Sequence, residues 1–119
     1  IGPNGILEHE FAACVNNSAG LKTLKIWAAS QIISGGTSSW STTVSARGVW
    51  YTAALGVENK QQFTNNAGQI IYGITGTPMY SNSTVDFAAE QTITATLRVA
   101  TANDILILER LTERLTYGA

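Results

Sequence analysis

A chain of 119 residues holds one domain of ordinary size with a real hydrophobic core, and no second one. Only 13% of its residues are charged, against about 25% in a typical soluble chain, so its polar surface comes from Ser, Thr, Asn and Gln, or partners cover part of it. A net charge of −1 argues against a nucleic-acid binder, and no apolar run approaches the roughly 18 residues of a membrane helix, so no membrane insertion is expected. The chain begins at Ile1 rather than Met, which leaves room for a longer protein whose C-terminal part is residues 1–119.

Taken in order, Ile1 to Gly5 is an entry turn, because Pro3 fixes φ and Asn4-Gly5 favours positive φ. Ile6 to Val15 alternates with period two and predicts a strand. Leu7, His9, Phe11, Ala13 and Val15 share one face of it; Glu8, Glu10, Ala12 and Cys14 share the other. Asn16 to Gly20 is a loop of hairpin length, and Leu21 to Ala29 is a second strand, so Glu8 and Glu10 are expected to face Lys22 or Lys25. Gly35-Gly36 reads as a turn, and Thr37 to Ser45, with Trp40, as loop or short edge strand. Ala46 to Glu58 is a third long strand with Val49, Tyr51, Ala53, Leu55 and Val57 on one face. Asn59 to Gly68 is polar, Gln69 to Ile74 a short strand, Gly73 to Asn82 a loop, and Thr84 to Phe87 another short strand.

The last third carries the strongest pattern. From Gln91 to Ala100, Ile93, Ala95, Leu97 and Val99 alternate with Thr92, Thr94, Thr96 and Arg98. Thr101 to Asp104 has turn chemistry, and Ile105 to Tyr117 follows. The two runs read as an antiparallel hairpin. Leu108, Leu111 and Leu115 also fit helical spacing, but the β-branched Thr112 and Thr116 and the opening Ile105-Leu106-Ile107-Leu108 favour a strand. As a strand it places Glu109 and Glu113 on its apolar face, where carboxylates need partners on adjacent strands or on another subunit. Glu109 and Glu113 are therefore the candidate interface residues.

Seven or eight strands, no convincing helix and long Ser/Thr/Asn loops predict a single all-β domain over residues 1–119, an antiparallel β-sandwich of jelly-roll type with two four-stranded sheets. Several segments then carry a resemblance. They are Gly2 to Leu7, Asn17-Ser18-Ala19 with Lys22 to Lys25, Gln91 to Thr94, Ala102 to Glu109, and Leu115 to Gly118. In this order and spacing the chain resembles a small domain near the C-terminus of tailed-bacteriophage virion structural proteins of the tail-fibre, spike and head-decoration type. The likeness covers nearly the whole chain, loosely over residues 30–80, and the acids Glu8 and Glu10 depart from the usual first strand. It implies a β-sandwich located on a virion, a homotrimer in contact with other virion proteins, and no catalytic residues.

The residues themselves offer little chemistry. No nucleophile elbow, phosphate loop or metal-ligand cluster is present, so neither cofactor nor metal is expected and the chain is read as no enzyme. Glu8-His9-Glu10 cannot converge on one ion, since a strand sends His9 to the face opposite the acids. The lone Cys14 reads as a buried structural thiol. Trp40, Tyr72 and Tyr80 lie in or beside loops among Asn and Gln, where exposed rings would stack on sugars; they are the candidate contacts for a host cell-surface glycan or receptor, with core or interface packing as the alternative. Three functions follow: a fibre or spike terminal domain, a capsid decoration protein, and a carbohydrate-binding module.

Overall fold

Alternation of apolar and polar side chains builds the first strands as expected. Strand β1 (Ile6–Val15) buries Leu7, Phe11, Ala13 and Val15 together with His9. Strand β2 (Lys22–Ala28) buries Leu24, Ile26 and Ala28. The others are β3 (Gln31–Ser38), β4 (Ser45–Ala54), β5 (Gln61–Thr64), β6 (Tyr80–Ser83), β7 (Thr94–Val99) and β8 (Leu106–Thr116). The structure, a computed structural model, describes residues 1–38, 45–65 and 80–119, and these contain no helix. Two antiparallel sheets, ordered β6-β5-β4-β1-β8 and β3-β2-β7, pack into a β-sandwich.

Between them lies a core of Leu7, Phe11, Leu24, Ile26, Ile33, Trp50 and Val85. Each such side chain contributes about 1.5–3 kcal/mol on full burial. The Phe11 and Trp50 rings meet at 4.3 Å between centroids, tilted by 43°. Trp50 also rests on the backbone of Gly35, which has φ of +79°. A Cβ there would lie 2.6 Å from the indole Cζ3 and collide with the Leu24 carbonyl. Gly35 and Gly36 thus belong to β3 rather than to a turn: glycine is needed for close approach as well as for φ.

The expected hairpin of the last third does not form. Strand β7 pairs with β2 and β8 pairs with β1, in different sheets. Alternation is satisfied equally well by either neighbour, so it could not choose between them. The loop after β1 likewise crosses between sheets, and Glu8 and Glu10 meet arginines on β8 instead of Lys22 or Lys25. The nesting of β1 on β8 and β2 on β7 is jelly-roll-like. The middle departs from the expected four plus four, because β3 returns beside β2 and β4 lies on the free side of β1.

Other differences are local. β4 ends at Ala54 and buries Trp50 and Thr52, so Val49 and Tyr51 face solvent. Residues 61–64, read as polar loop, form β5, where the buried Gln61 satisfies its whole amide. Its Nε2 donates to the Glu58 and Val85 carbonyls, and its Oε1 accepts from Ser83 Oγ and Val85 N. The expected strand at Thr84 to Phe87 is therefore an irregular segment held by Gln61, with Val85 plugged into the core. Tyr80 to Asn82 lie in β6 rather than in a loop. The expected strand at 69–74 lies outside the described residues, as do Trp40 and Tyr72.

Gly35→Ala is expected to cost about 2–4 kcal/mol, from left-handed backbone strain plus overpacking. Gly56→Ala separates the two terms. Gly56 also has positive φ, but nothing lies within 4 Å of its added Cβ, so the cost is about 1–2 kcal/mol. Urea titration of both variants checks the difference.

Candidate functional site

The inward face of β1 carries one polar residue, His9, and the inward face of β8 carries one acid, Glu113. Register pairs them directly. His9 is fully buried, with Nδ1 2.5 Å from Glu113 Oε2 and Nε2 2.8 Å from Thr52 Oγ1. Thr52 is fully buried too, and its hydroxyl donates to the Ile33 carbonyl of the opposite sheet at 2.5 Å. That single proton settles the imidazole. Since Oγ1 gives its hydrogen to Ile33, it accepts from Nε2–H, and the contact to Glu113 then shares one further proton between Nδ1 and Oε2. The pair is net neutral in either placement of that proton.

Carboxylate, imidazole and hydroxyl stand in the order of a hydrolase triad, but with the opposite hydrogen-bond direction. A nucleophilic hydroxyl must donate to Nε2 and reach a substrate. Thr52 Oγ1 accepts from it and is sealed in the core. The arrangement is a polar cross-link running β8–β1–β4 and over to β3. Each member alone looks ordinary in sequence. The signal was that two polar groups, His9 and Glu113, sit on faces otherwise apolar, which forces them to find each other.

Glu109 lies elsewhere. A bulge between Ala12 and Ala13 sets Ala12 opposite Arg110 and Ala13 opposite Leu108, so Glu109 is the extra residue. The bulge shifts parity: Leu106, Leu108, Leu111, Glu113 and Leu115 face inward, while Ile107 turns out. Glu109 meets Cys14 on the outer side, and hydrogen bonding to it, aided by burial, holds the thiol above its ordinary pKa. Cys14 is half-buried there rather than fully buried as expected, and a thiol held protonated is a poor nucleophile. Beside it, Glu10 accepts from Arg114 and Arg110 at 2.8 Å each, with Arg47 at 3.8 Å. Hydrogen bonding to Arg114 holds the Glu10 carboxyl below its usual range and raises Arg114.

A second buried polar group fixes the two loops at one end of the sandwich. Lys22 is fully buried and donates to Ser18 Oγ at 2.9 Å and to the Ser18 and Asn16 carbonyls. Asp104 accepts from Asn16 Nδ2 and Ser18 Oγ and lies 3.8 Å from Lys22 Nζ. Asn16 Oδ1 accepts from Ile105 N. The bonds from Asn16 and Ser18, with the lysine charge behind them, depress the Asp104 carboxyl.

The sandwich is open along one side. There β7 and β8, each the last strand of its sheet, run side by side. Leu97 and Leu115 point inward opposite Leu24 and Leu7, yet remain 43% and 58% exposed. A groove of about 310 Å³ lies between Leu97–Val99 and Asp104–Leu106. Glu113 sits on this side, and its Oε1 is buried with no hydrogen bond among the described residues.

His9→Ala strands the Glu113 carboxylate and is expected to cost about 3–5 kcal/mol. Glu113→Gln keeps a donor for a neutral Nδ1 and costs about 1 kcal/mol; urea midpoints rank the two. Asp104 and Glu10 have depressed folded pKa values, so they contribute stability above their ordinary values of 3.8 and 4.5 and lose it as pH falls through the folded ones. Asp104→Asn is therefore expected to flatten the loss of melting temperature below about pH 4. Compared with protein-family models, with curated proteins and with solved structures, the chain matches none.

Proposed function

We propose that this chain is a non-enzymatic structural module of a bacteriophage virion, the terminal domain of a trimeric fibre or spike that contacts a host surface receptor. The observation that carries the assembly part is the open side. Two adjacent strand edges, unpaired among the described residues and with inward leucines left exposed, form a surface that another copy would cover. Closed cyclic symmetry is the default for such an association. The virion part rests on the resemblance. Several of its segments supply Ser18, Lys22 and Asp104 of the loop knot, and Asn4 and Gly118 of the closure where Asn4 N donates to the Gly118 carbonyl.

The triad-like group supports a non-enzymatic reading, since its hydroxyl is buried and already committed. Sedimentation analysis at micromolar concentration is expected to give the mass of three chains. Leu97→Arg and Leu115→Arg, both at the open side, are expected to weaken association by at least about tenfold while leaving the β-sheet spectrum intact. A monomer that persists at high concentration refutes the assembly. Labelling on intact particles distinguishes a fibre or spike from a capsid decoration.

A further inference from the structure

The outer face of the five-stranded sheet divides into two chemically different halves. On β1 and β8, Glu8, Glu10, Arg110 and Arg114 pair with one another, joined by Arg47 from the end of β4. Across β4, β5 and β6 the other outward residues are uncharged. Tyr80 pairs in register with Thr64, and Thr64 Oγ1 accepts from Tyr51 N at 3.1 Å. Alternation along β4 and β6 puts Tyr51 and Tyr80 on the outer face, with the buried Thr64 between them, and two strand spacings separate the tyrosines by about 10 Å. They are 46% and 53% exposed. The adjoining row is Ala53, Gln62 and Asn82. Gln62 and Asn82 are exposed, and their side-chain amides form no hydrogen bond among the described residues.

We infer that this strip, built from Tyr51, Tyr80, Gln62 and Asn82, binds a neutral oligosaccharide laid across the β4–β6 half of the sheet. Sugars present apolar C–H faces and a rim of hydroxyls. Two tyrosines offer large, amphipathic contact surfaces at low conformational cost. Two unengaged amides offer donors and acceptors together, which a hydroxyl rim needs and a charged group would supply only in part. The strip lacks the unpaired cations that a nucleic acid or an acidic lipid would require, because the arginines of this face are engaged by Glu8 and Glu10. The spacing of the tyrosines exceeds one pyranose ring and suits two sugars of one chain with a third between them rather than a single monosaccharide. This deepens the receptor-contact part of the proposed function and is independent of its assembly part, since the strip lies at the side of the sheet away from β7 and β8.

The test uses the whole chain and a panel of neutral hexasaccharides built from glucose, galactose, mannose or N-acetylglucosamine, titrated by calorimetry and by tyrosine-region NMR. At least one is expected to bind. Tyr51→Ala and Tyr80→Ala should each weaken it by about tenfold or more, and Gln62→Ala by a few-fold. Arg47→Ala and about 1 M salt should leave it unchanged, because no ion pair is involved. Circular dichroism confirms that the variants fold. Absence of binding across the panel overturns the inference, as does binding indifferent to both tyrosine variants or abolished by salt. Sedimentation in the same samples keeps the outcomes apart: a correct trimer that binds no sugar refutes this site alone.

Discussion

Thr52 has one hydroxyl proton, and much of the core is arranged around where that proton goes. It goes to Ile33 of the opposite sheet, which orients the His9 ring, which in turn fixes the Glu113 carboxylate on the far strand. Each of these groups would be costly to bury alone. Joined, they hold β8, β1, β4 and β3 at their present offsets: sliding any of these strands by one residue would leave a polar group unpaired in the core and turn its neighbours inside out. Apolar packing of Phe11 on Trp50 supplies more energy, but it tolerates small shifts that a hydrogen-bonded chain does not.

The same logic repeats at the end of the sandwich. Chain passing from β1 to β2, and from β7 to β8, must change sheets, and its backbone groups leave the ladders there. Lys22, Asn16, Ser18 and Asp104 take up those groups, so two crossings separated by most of the sequence become one polar knot. Where a lysine is buried without full hydration, its three donors have to be met by oxygens, and two loop carbonyls and one hydroxyl meet them. The loops are therefore built to a fixed shape by the charge they enclose.

How much of this was legible in the sequence depends on the residue. Periodicity gave the faces of β1 and β2 correctly, because alternation reports burial directly. It could not choose strand partners, so β7 and β8 looked like a hairpin when each pairs with an earlier strand. The leucines of β8 looked part-helical because the bulge at Glu109 lets residues three apart, Leu108 and Leu111, face the same way. Gly35-Gly36 looked like a turn because composition does not distinguish a residue needing positive φ from one needing space for an indole. At the candidate site, Glu113 was recognised as misplaced on an apolar face, but the partner was sought on another subunit or unnamed strand. His9, in the equivalent predicament on β1, was its answer. Gln61 and Lys22 gave no sign at all, since their burial depends on where distant loops come to rest.

The open side is best understood from what guards it. An eleven-residue edge strand such as β8 is a template for indiscriminate pairing unless something interrupts it. The bulge at Glu109 divides its edge into two short stretches whose hydrogen-bonding groups are out of step. Outward arginines at 110 and 114 add charge, and both are already tied to β1, so they stay in place and repel a flat apolar strand. Yet Leu97 and Leu115 remain uncovered just inside. For the assembly we propose, a surface that rejects generic strands while keeping apolar area available would select a partner with a matching irregular edge and a complementary face. In that assembly another copy meeting it by rotation would offer such a partner reproducibly, because every copy carries the same bulge in the same place.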